Sequence, residues 1–165
     1  MKKHSRVMTG RSGFTLIELM VTVGIFAVLA AIAIPGLSKW LPGYNLKSAA
    51  RDVFSNMQLA KLDAIKRNTN CLVTINTSAK TYSIGFVPVK AVSLGNSIIF
   101  NGPNSETTTT AITFSSRGMA VFSPAPSDNK GKIYLTNSQK SAYYLIEITS
   151  VGSLNLQKYN GTSWE

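Results

Sequence analysis

The chain has 165 residues, of which 44% are hydrophobic, and its 17 basic and 7 acidic residues give a formal net charge of +10. Its single histidine, His4, lies among the first 13 residues, and Cys71 is its only cysteine. The chain beyond residue 13 therefore has no imidazole for a nucleophile pair and too few ligands for a zinc cluster or an internal disulfide. The acidic residues outside the apolar segment are scattered, without an acid–base spacing. We predict no catalytic residue, cofactor or metal, and no enzyme.

An apolar run from Phe14 to Ile34 contains one charged residue, Glu18. As a helix rising about 1.5 Å per residue, its 21 residues span roughly 31 Å, the thickness of a bilayer's hydrocarbon core. A carboxylate inside such a run costs roughly 2.5–3.5 kcal/mol on insertion scales, so a compensating partner is expected. The residues before the run include four basic side chains and no acid, which predicts a cytoplasmic N-terminus: Lys2, Lys3, Arg6 and Arg11.

The basic leader, the Gly13-Phe14 pair and Glu18 together resemble the start of a type IV prepilin. The resemblance implies that a prepilin peptidase cleaves after Gly13 and that the new N-terminal residue, Phe14, is N-methylated. It also implies that Glu18 guides subunit assembly and that the helix bends at Pro35. The corresponding domain boundaries are a cleaved leader at 1–13, a transmembrane and filament-core helix at 14–41, and an extracytoplasmic domain at 42–165.

Two other interpretations of the N-terminus remain open. The first is an ordinary secretory signal, with its apolar region from Leu16 to Leu29 and a cleavage site at Ala31-Ile32-Ala33. Its apolar run is too long for that class, and Glu18 interrupts its start. The second is a plain membrane anchor in which Glu18 lies at the membrane surface.

A second helical segment follows the apolar run. Pro35-Gly36 and Pro42-Gly43 each predict a kink or a short break, because proline removes a helix hydrogen bond and clashes with the previous turn. From Asn45 to about Asn68, apolar residues recur every three or four positions and predict an amphipathic helix. The predicted core stripe comprises Leu46, Ala49, Ala50, Val53, Met57, Ala60 and Ala64, widened by Phe54, Leu62 and Ile65.

Beyond Thr69 the apolar period changes from 3.6 to 2, which predicts β-strands. Cys71 alternates onto the same face as Val73 and Ile75, so we predict a buried thiol. Asn101–Thr110 is predicted to be an exposed loop, and Trp164 an isolated residue in the tail. The predicted strands are 71–76, 82–86, 97–100, 111–115, 119–123, 132–136, 143–149 and 153–159.

These elements predict an α+β fold, in which one long N-terminal helix packs on a C-terminal antiparallel β domain of one or two sheets. The type IV pilin resemblance implies the same architecture. Within that superfamily the chain is most similar to the GspH/FimT group of minor pilins and pseudopilins. That similarity lies in three stretches, Gln58–Thr74, Ile112–Ala120 and Gly131–Thr136.

The resemblance implies a structural subunit of a type IV pilus or of a type II secretion pseudopilus, which primes assembly or lies near the filament tip. The implied partners are other pilins, the prepilin peptidase, an inner-membrane assembly platform and, before assembly, membrane lipid. In the filament, Glu18 would pair with the freed α-amino group of Phe14 on a neighbouring subunit. The implied location is the bacterial inner membrane, with the C-terminal domain periplasmic, and afterwards the filament.

The alternative function is DNA binding for uptake. Removing residues 1–13 leaves 13 basic and 7 acidic residues, a net charge of +6, which favours contact with polyanions. Some FimT-like minor pilins bind DNA through a Gly-Arg-x-Arg motif, and the corresponding stretch here is Gly152-Ser153-Leu154-Asn155, without arginines. Lys132 and Lys158 remain as candidate weak DNA contacts.

Overall fold

The structure is a computed structural model that describes residues 13–85, 90–95 and 97–165. It contains one long helix, α1 (Leu16–Lys66), followed by nine strands. The chain divides into two compact units between Lys39 and Trp40. Of the predicted leader only Gly13 is described, and Phe86 in the second predicted strand also lies outside the described residues.

The nine strands form two antiparallel sheets. Sheet 1 has the order β3-β2-β1-β5-β6 and sheet 2 the order β4-β7-β8-β9. The strand bounds are β1 Cys71–Asn76, β2 Thr81–Gly85, β3 Lys90–Ser93, β4 Ile98–Ile99, β5 Ala111–Phe114, β6 Ala120–Ser123, β7 Lys130–Asn137, β8 Tyr143–Thr149 and β9 Leu154–Lys158. The α+β prediction is confirmed in its two-sheet form, whereas β3 was not predicted.

Helix α1 is continuous through Pro35-Gly36 and Pro42-Gly43, so neither pair produces the short break that the sequence left open. The bend at Pro35 stays a prediction. The helix ends in a Schellman motif, because Asn68 adopts a φ of 50° while its N–H and that of Thr69 bond to the carbonyls of Ile65 and Ala64.

The core lies between the second half of α1 and the inner faces of both sheets. Every member of the predicted stripe is buried or packs against the core, as does Phe54. The predicted widening by Leu62 and Ile65 is wrong, since these side chains are 59% and 43% exposed. Ile65 lies beside Gly118 in the β5–β6 turn but remains largely uncovered, and hydrophobicity alone does not predict how much of each side chain the sheets cover. Beside the stripe, Asn56 donates a 2.6 Å hydrogen bond to the hydroxyl of the buried residue Tyr82.

The sequence predicted that the threonine-rich loop before β5 is exposed, but part of this loop is buried. Thr108 is buried, and its hydroxyl accepts a hydrogen bond from the backbone N–H of Tyr134 at 3.2 Å. The N–H of Thr109 donates to the carbonyl of Lys132, and the carbonyl of Thr110 accepts from the N–H of Ile75. This segment therefore bonds to strands of both sheets through its backbone and through side-chain hydroxyl groups.

Cys71 is fully buried, as predicted, and burial raises the pKa of its thiol to about 11. The thiolate is the reactive form, so the folded protein is expected to react slowly with thiol reagents at pH 8. The measurement is a labelling time course with a chromogenic disulfide reagent, with and without denaturant. Rapid labelling in the absence of denaturant would contradict the burial of Cys71.

Candidate assembly site and basic surfaces

The N-terminal unit begins with an exposed segment that leads directly into α1. Gly13 and Phe14 precede the helix, and both are exposed. The backbone N–H of Glu18 donates to the hydroxyl oxygen of Thr15 at 3.3 Å, which is one half of the capping box expected for Thr-x-x-Glu. Glu18 also lies in the first turn of α1, where the helix dipole favours a carboxylate. This local role was not predicted, although the spacing of Thr15 and Glu18 in the sequence indicates it.

The first half of α1 presents its apolar side chains on all sides. Leu16–Ile34 has a mean hydropathy of 2.5, with none of its most apolar window buried, and by length and composition it is able to cross a membrane. The one polar side chain after Glu18, that of Thr22, donates to the carbonyl of Leu19 at 2.8 Å, so its hydroxyl is satisfied inside the helix. An exposed apolar surface of this size is typical of a segment that contacts lipid or another protein.

The two lysines proposed as DNA contacts lie on opposite faces of sheet 2. Lys132 of β7 lies opposite Glu147 of β8 in the strand register, and both residues are on the outer face of the sheet. Lys158 pairs with Tyr144 on the face that carries Leu154 and Leu156 toward the core. They therefore do not form a single basic patch.

The outer face of sheet 2 carries acidic side chains beside its lysines. Lys132 forms an ion pair with Asp128 at 2.6 Å, and Lys130 forms one with Glu147 at 3.0 Å. The hydrogen bond from Lys132 lowers the pKa of Asp128, so this carboxylate stays ionised near neutral pH. These lysines offer phosphate little unneutralised charge.

The stretch that corresponds to the DNA-binding motif forms the turn from β8 to β9. Gly152 has a φ of 78°, and its carbonyl accepts a 2.7 Å hydrogen bond from the ammonium of Lys61 on α1. Ser153 and Asn155 are exposed, and Asn155 lies opposite Glu147 in the strand pairing. A carboxylate thus lies beside a position where the DNA-binding relatives have an arginine.

Trp164 is not isolated, contrary to the sequence prediction. The tail folds back on the end of β9, where the N–H and carbonyl of Lys158 both bond to the backbone of Glu165. This hairpin places the Trp164 ring 5.8 Å from that of Tyr134 and 5.1 Å from that of Tyr159. Among the described residues, no group of three or more His, Cys, Asp and Glu side chains lies close enough to hold a metal ion.

Comparison with known families agrees with this fold and N-terminus. A model of the prokaryotic N-terminal methylation motif matches residues 8–34, and a model of the type II transport protein GspH matches residues 49–152. The second match covers more than half of the chain. The chain therefore belongs to the GspH family, and the predicted resemblance is confirmed.

Individual relatives are similar over shorter stretches. A fimbrial protein of Pseudomonas aeruginosa is 35% identical over 79 residues, which are 48% of this chain and 51% of that protein. The pilin-like protein PilA1 of Thermus thermophilus is 41% identical over 58 residues, 35% of this chain and 36% of that protein. The chain thus spans about half the length, or less, of these curated relatives.

A solved structure shares the fold. The type IV minor pilin FimU of Pseudomonas aeruginosa superposes with a TM-score of 0.53 at 16% identity, covering 73% of this chain and 97% of FimU. A second crystal form of FimU gives a TM-score of 0.52 at 14% identity, covering 73% of this chain and 92% of that one. The pilin-like architecture is therefore confirmed.

Proposed function

We propose that this protein is a minor pilin or pseudopilin, a structural subunit of a type IV pilus or a type II secretion pseudopilus. The observation that carries the proposal is the exposed apolar start of α1, with a single carboxylate, Glu18, within a matched methylation motif. Such a helix is stable only in lipid or among similar helices, and a filament of pilins supplies both environments in succession. We extend the proposal to a priming subunit near the filament tip.

The subunit starts in the bacterial inner membrane, with its N-terminus cytoplasmic and residues 42–165 periplasmic. The prepilin peptidase removes residues 1–13, and the inner-membrane assembly platform then moves the subunit from lipid into the filament. There Glu18 pairs with the α-amino group of Phe14 on a neighbouring subunit. Each charge offsets the desolvation of the other, whereas either alone in the apolar bundle remains a penalty. The pair also favours a single axial stagger between neighbouring helices.

Processing at Gly13 is the first test. The peptidase requires a residue without a bulky side chain before the cut, so Gly13→Val should leave the leader attached. We expect the intact mass of the membrane-extracted native protein to equal residues 14–165 plus one methyl group, and that of the variant to be the full precursor. Gly13→Ala is the matched control with a small side chain. A mature N-terminus near Ile34 would instead support an ordinary signal peptide.

DNA binding is the second candidate function, because the mature chain carries a net charge of +6. We expect residues 42–165 to bind duplex DNA weakly at low salt and negligibly near physiological ionic strength. Counterion release supplies such binding, and residues 152–155 contain no arginine that would hold the phosphate backbone in register. A salt titration measures this, with a Ser153→Arg, Asn155→Arg variant beside the native sequence. Tight binding at physiological salt that is lost on changing Lys132 or Lys158 would make DNA capture the leading function.

A further inference from the structure

An open groove of about 490 Å³ lies between the second half of α1 and the ends of β8 and β9, within the C-terminal unit. Its helix wall carries Trp40, Tyr44 and Lys47, which recur at four and three residues and so share one helix face. Its sheet wall carries Tyr144 and Lys158. None of the residues that line the groove is acidic.

The groove combines exposed aromatic rings with unneutralised cations. Trp40 and Tyr44 are 61% and 55% exposed, and their rings stack with centroids 5.1 Å apart. Neither the ammonium of Lys47 nor that of Lys158 has a hydrogen-bond or ion-pair partner among the described residues. Arg51 adds positive charge nearby, since it lowers the pKa of Tyr144 against the larger effect of burial, which raises it.

Lys158 occupies an unusual position for a charged residue. Along β9 it follows Leu154 and Leu156 on the face that packs toward the core. At the third position of that face Lys158 stands where an apolar residue would continue the pattern, and it lines the groove on the side opposite the outer face. Together with Lys47 it places positive charge on both walls, an arrangement complementary to an anion held between them.

The chain keeps this groove close to the membrane. Trp40 follows the end of the apolar span, Ile34, by only six residues, a length of chain that reaches no more than about 20 Å even when fully extended. Tryptophan and tyrosine favour the headgroup region of a bilayer, where their rings contact both apolar and polar groups. Basic side chains near an anionic bilayer surface are attracted to its lipid headgroups.

We propose that this groove binds the phosphate of an anionic phospholipid headgroup, with Lys47 and Lys158 on the phosphate and the Trp40–Tyr44 pair against the glycerol backbone. The proposal rests on the membrane-anchored subunit proposed above. Binding would hold the C-terminal unit against the bilayer surface until the subunit leaves the membrane. The groove would then bind lipid only before assembly.

The test is a titration of the full-length protein in an uncharged detergent with soluble dihexanoyl phosphatidylglycerol, followed by tryptophan emission. A Trp164→Phe background leaves Trp40 as the only reporter. We expect a saturable change with phosphatidylglycerol and none with dihexanoyl phosphatidylcholine at the same concentrations. Inorganic phosphate should bind at least tenfold more weakly, because it lacks the groups that contact the rings.

Paired variants separate a site from bulk charge. At about fivefold per lysine, Lys47→Gln with Lys158→Gln should weaken phosphatidylglycerol binding about 25-fold. Lys66→Gln with Lys140→Gln removes the same charge elsewhere and should change binding less than twofold. Lys47→Arg with Lys158→Arg keeps both positive charges and should preserve the binding of phosphatidylglycerol. All of these positions are at least partly exposed, so the variants are expected to fold.

Several outcomes would overturn the proposal. They are equal binding of the two lipids, equal binding of inorganic phosphate, equal weakening by both glutamine pairs, or tighter binding of an oligodeoxythymidine, which would indicate a single-stranded nucleic-acid site. Binding is measured on isolated subunits, whereas the assembly of Glu18 variants tests the proposed function. The failure of one is therefore distinguishable from the failure of the other.

Discussion

Replacing Glu18 with leucine is expected to remove the subunit from sheared filaments while leaving its membrane insertion intact. The change takes a carboxylate out of the apolar span, so insertion should improve by up to roughly 2.5–3.5 kcal/mol. In the filament it should leave the α-amino group of the neighbouring Phe14 without a partner. Breaking one side of a buried ion pair costs about 3–5 kcal/mol, equivalent to more than a hundredfold in an equilibrium constant.

Two controls distinguish the charge of Glu18 from its position at the helix start. The cap bond uses the backbone N–H of Glu18, so Glu18→Leu keeps it, whereas Thr15→Ala removes the accepting hydroxyl and keeps the carboxylate. Glu18→Gln keeps the size and hydrogen-bonding capacity of the side chain but removes its charge. Thr15→Ala should therefore assemble, and both Glu18 variants should not.

The measurement is the amount of subunit in sheared filaments relative to the amount in membranes, determined by immunoblotting in cells that also express the other pilins. A complementation assay in a deletion background gives an independent readout. Normal incorporation of Glu18→Leu would show that the charge pair does not drive assembly. Loss of Thr15→Ala as well would show that the start of the helix, not the charge, is limiting.

The elements with a clear local period were predicted well. The stripe of α1 from Leu46 to Ala64 and the alternation of Cys71, Val73 and Ile75 both match the observed burial. Periodicity determines which residues share a face, and burial follows when one face alone is apolar. It fails at Leu62 and Ile65, where the helix is apolar on a second side and only the position of the sheets decides which side is covered.

Features that depend on distant segments could not be predicted from local pattern. The membership of β4 in sheet 2 depends on its pairing with β7, a segment more than thirty residues further along the chain. The bonds of Thr108 and Thr109 to β7 also join distant segments, and a run of threonines resembles a solvated loop. Trp164 finds its ring partners only because the tail folds back on β9.

The groove was predictable in part. The spacing of Trp40, Tyr44 and Lys47 on one helix face, and the alternation of Leu154, Leu156 and Lys158, are both visible in the sequence. That these two patterns meet depends on how β9 packs beside α1, which neither pattern encodes. Likewise, the sequence shows that residue 132 is a lysine, but the ion pair of Lys132 with Asp128 is visible only in the structure.

Gly152→Ala is expected to destabilise the C-terminal unit strongly, although it adds only one methyl group. A Cβ at Gly152 would lie 1.8 Å from the carbonyl oxygen of Gly118 and 3.3 Å from Cε of Lys61. Gly118 belongs to the β5–β6 turn of sheet 1 and Gly152 to the β8–β9 turn of sheet 2. The methyl group would therefore force apart two backbones that meet where both sheets reach the end of α1.

The backbone at Gly152 adds strain to this overlap, since its φ of 78° is one that side chains rarely adopt. Together, overpacking and strain should lower the free energy of unfolding by about 3 kcal/mol or more. The matched control is Gly95→Ala, because Gly95 has a φ of 79° and nothing within 4 Å of the added atom. It should show the strain alone, about 1–2 kcal/mol.

Thermal unfolding of the full-length protein in an uncharged detergent checks the difference between the two variants. Gly152→Ala should lower Tm by roughly 10 °C and Gly95→Ala by a few degrees. Equal shifts would mean that the contact with Gly118 relaxes freely and that only the positive φ requires glycine at residue 152. A larger shift for Gly152→Ala would show that the close approach of the two turns requires a glycine at residue 152. Packing alone would then explain this glycine, whether or not arginines that bind DNA follow it.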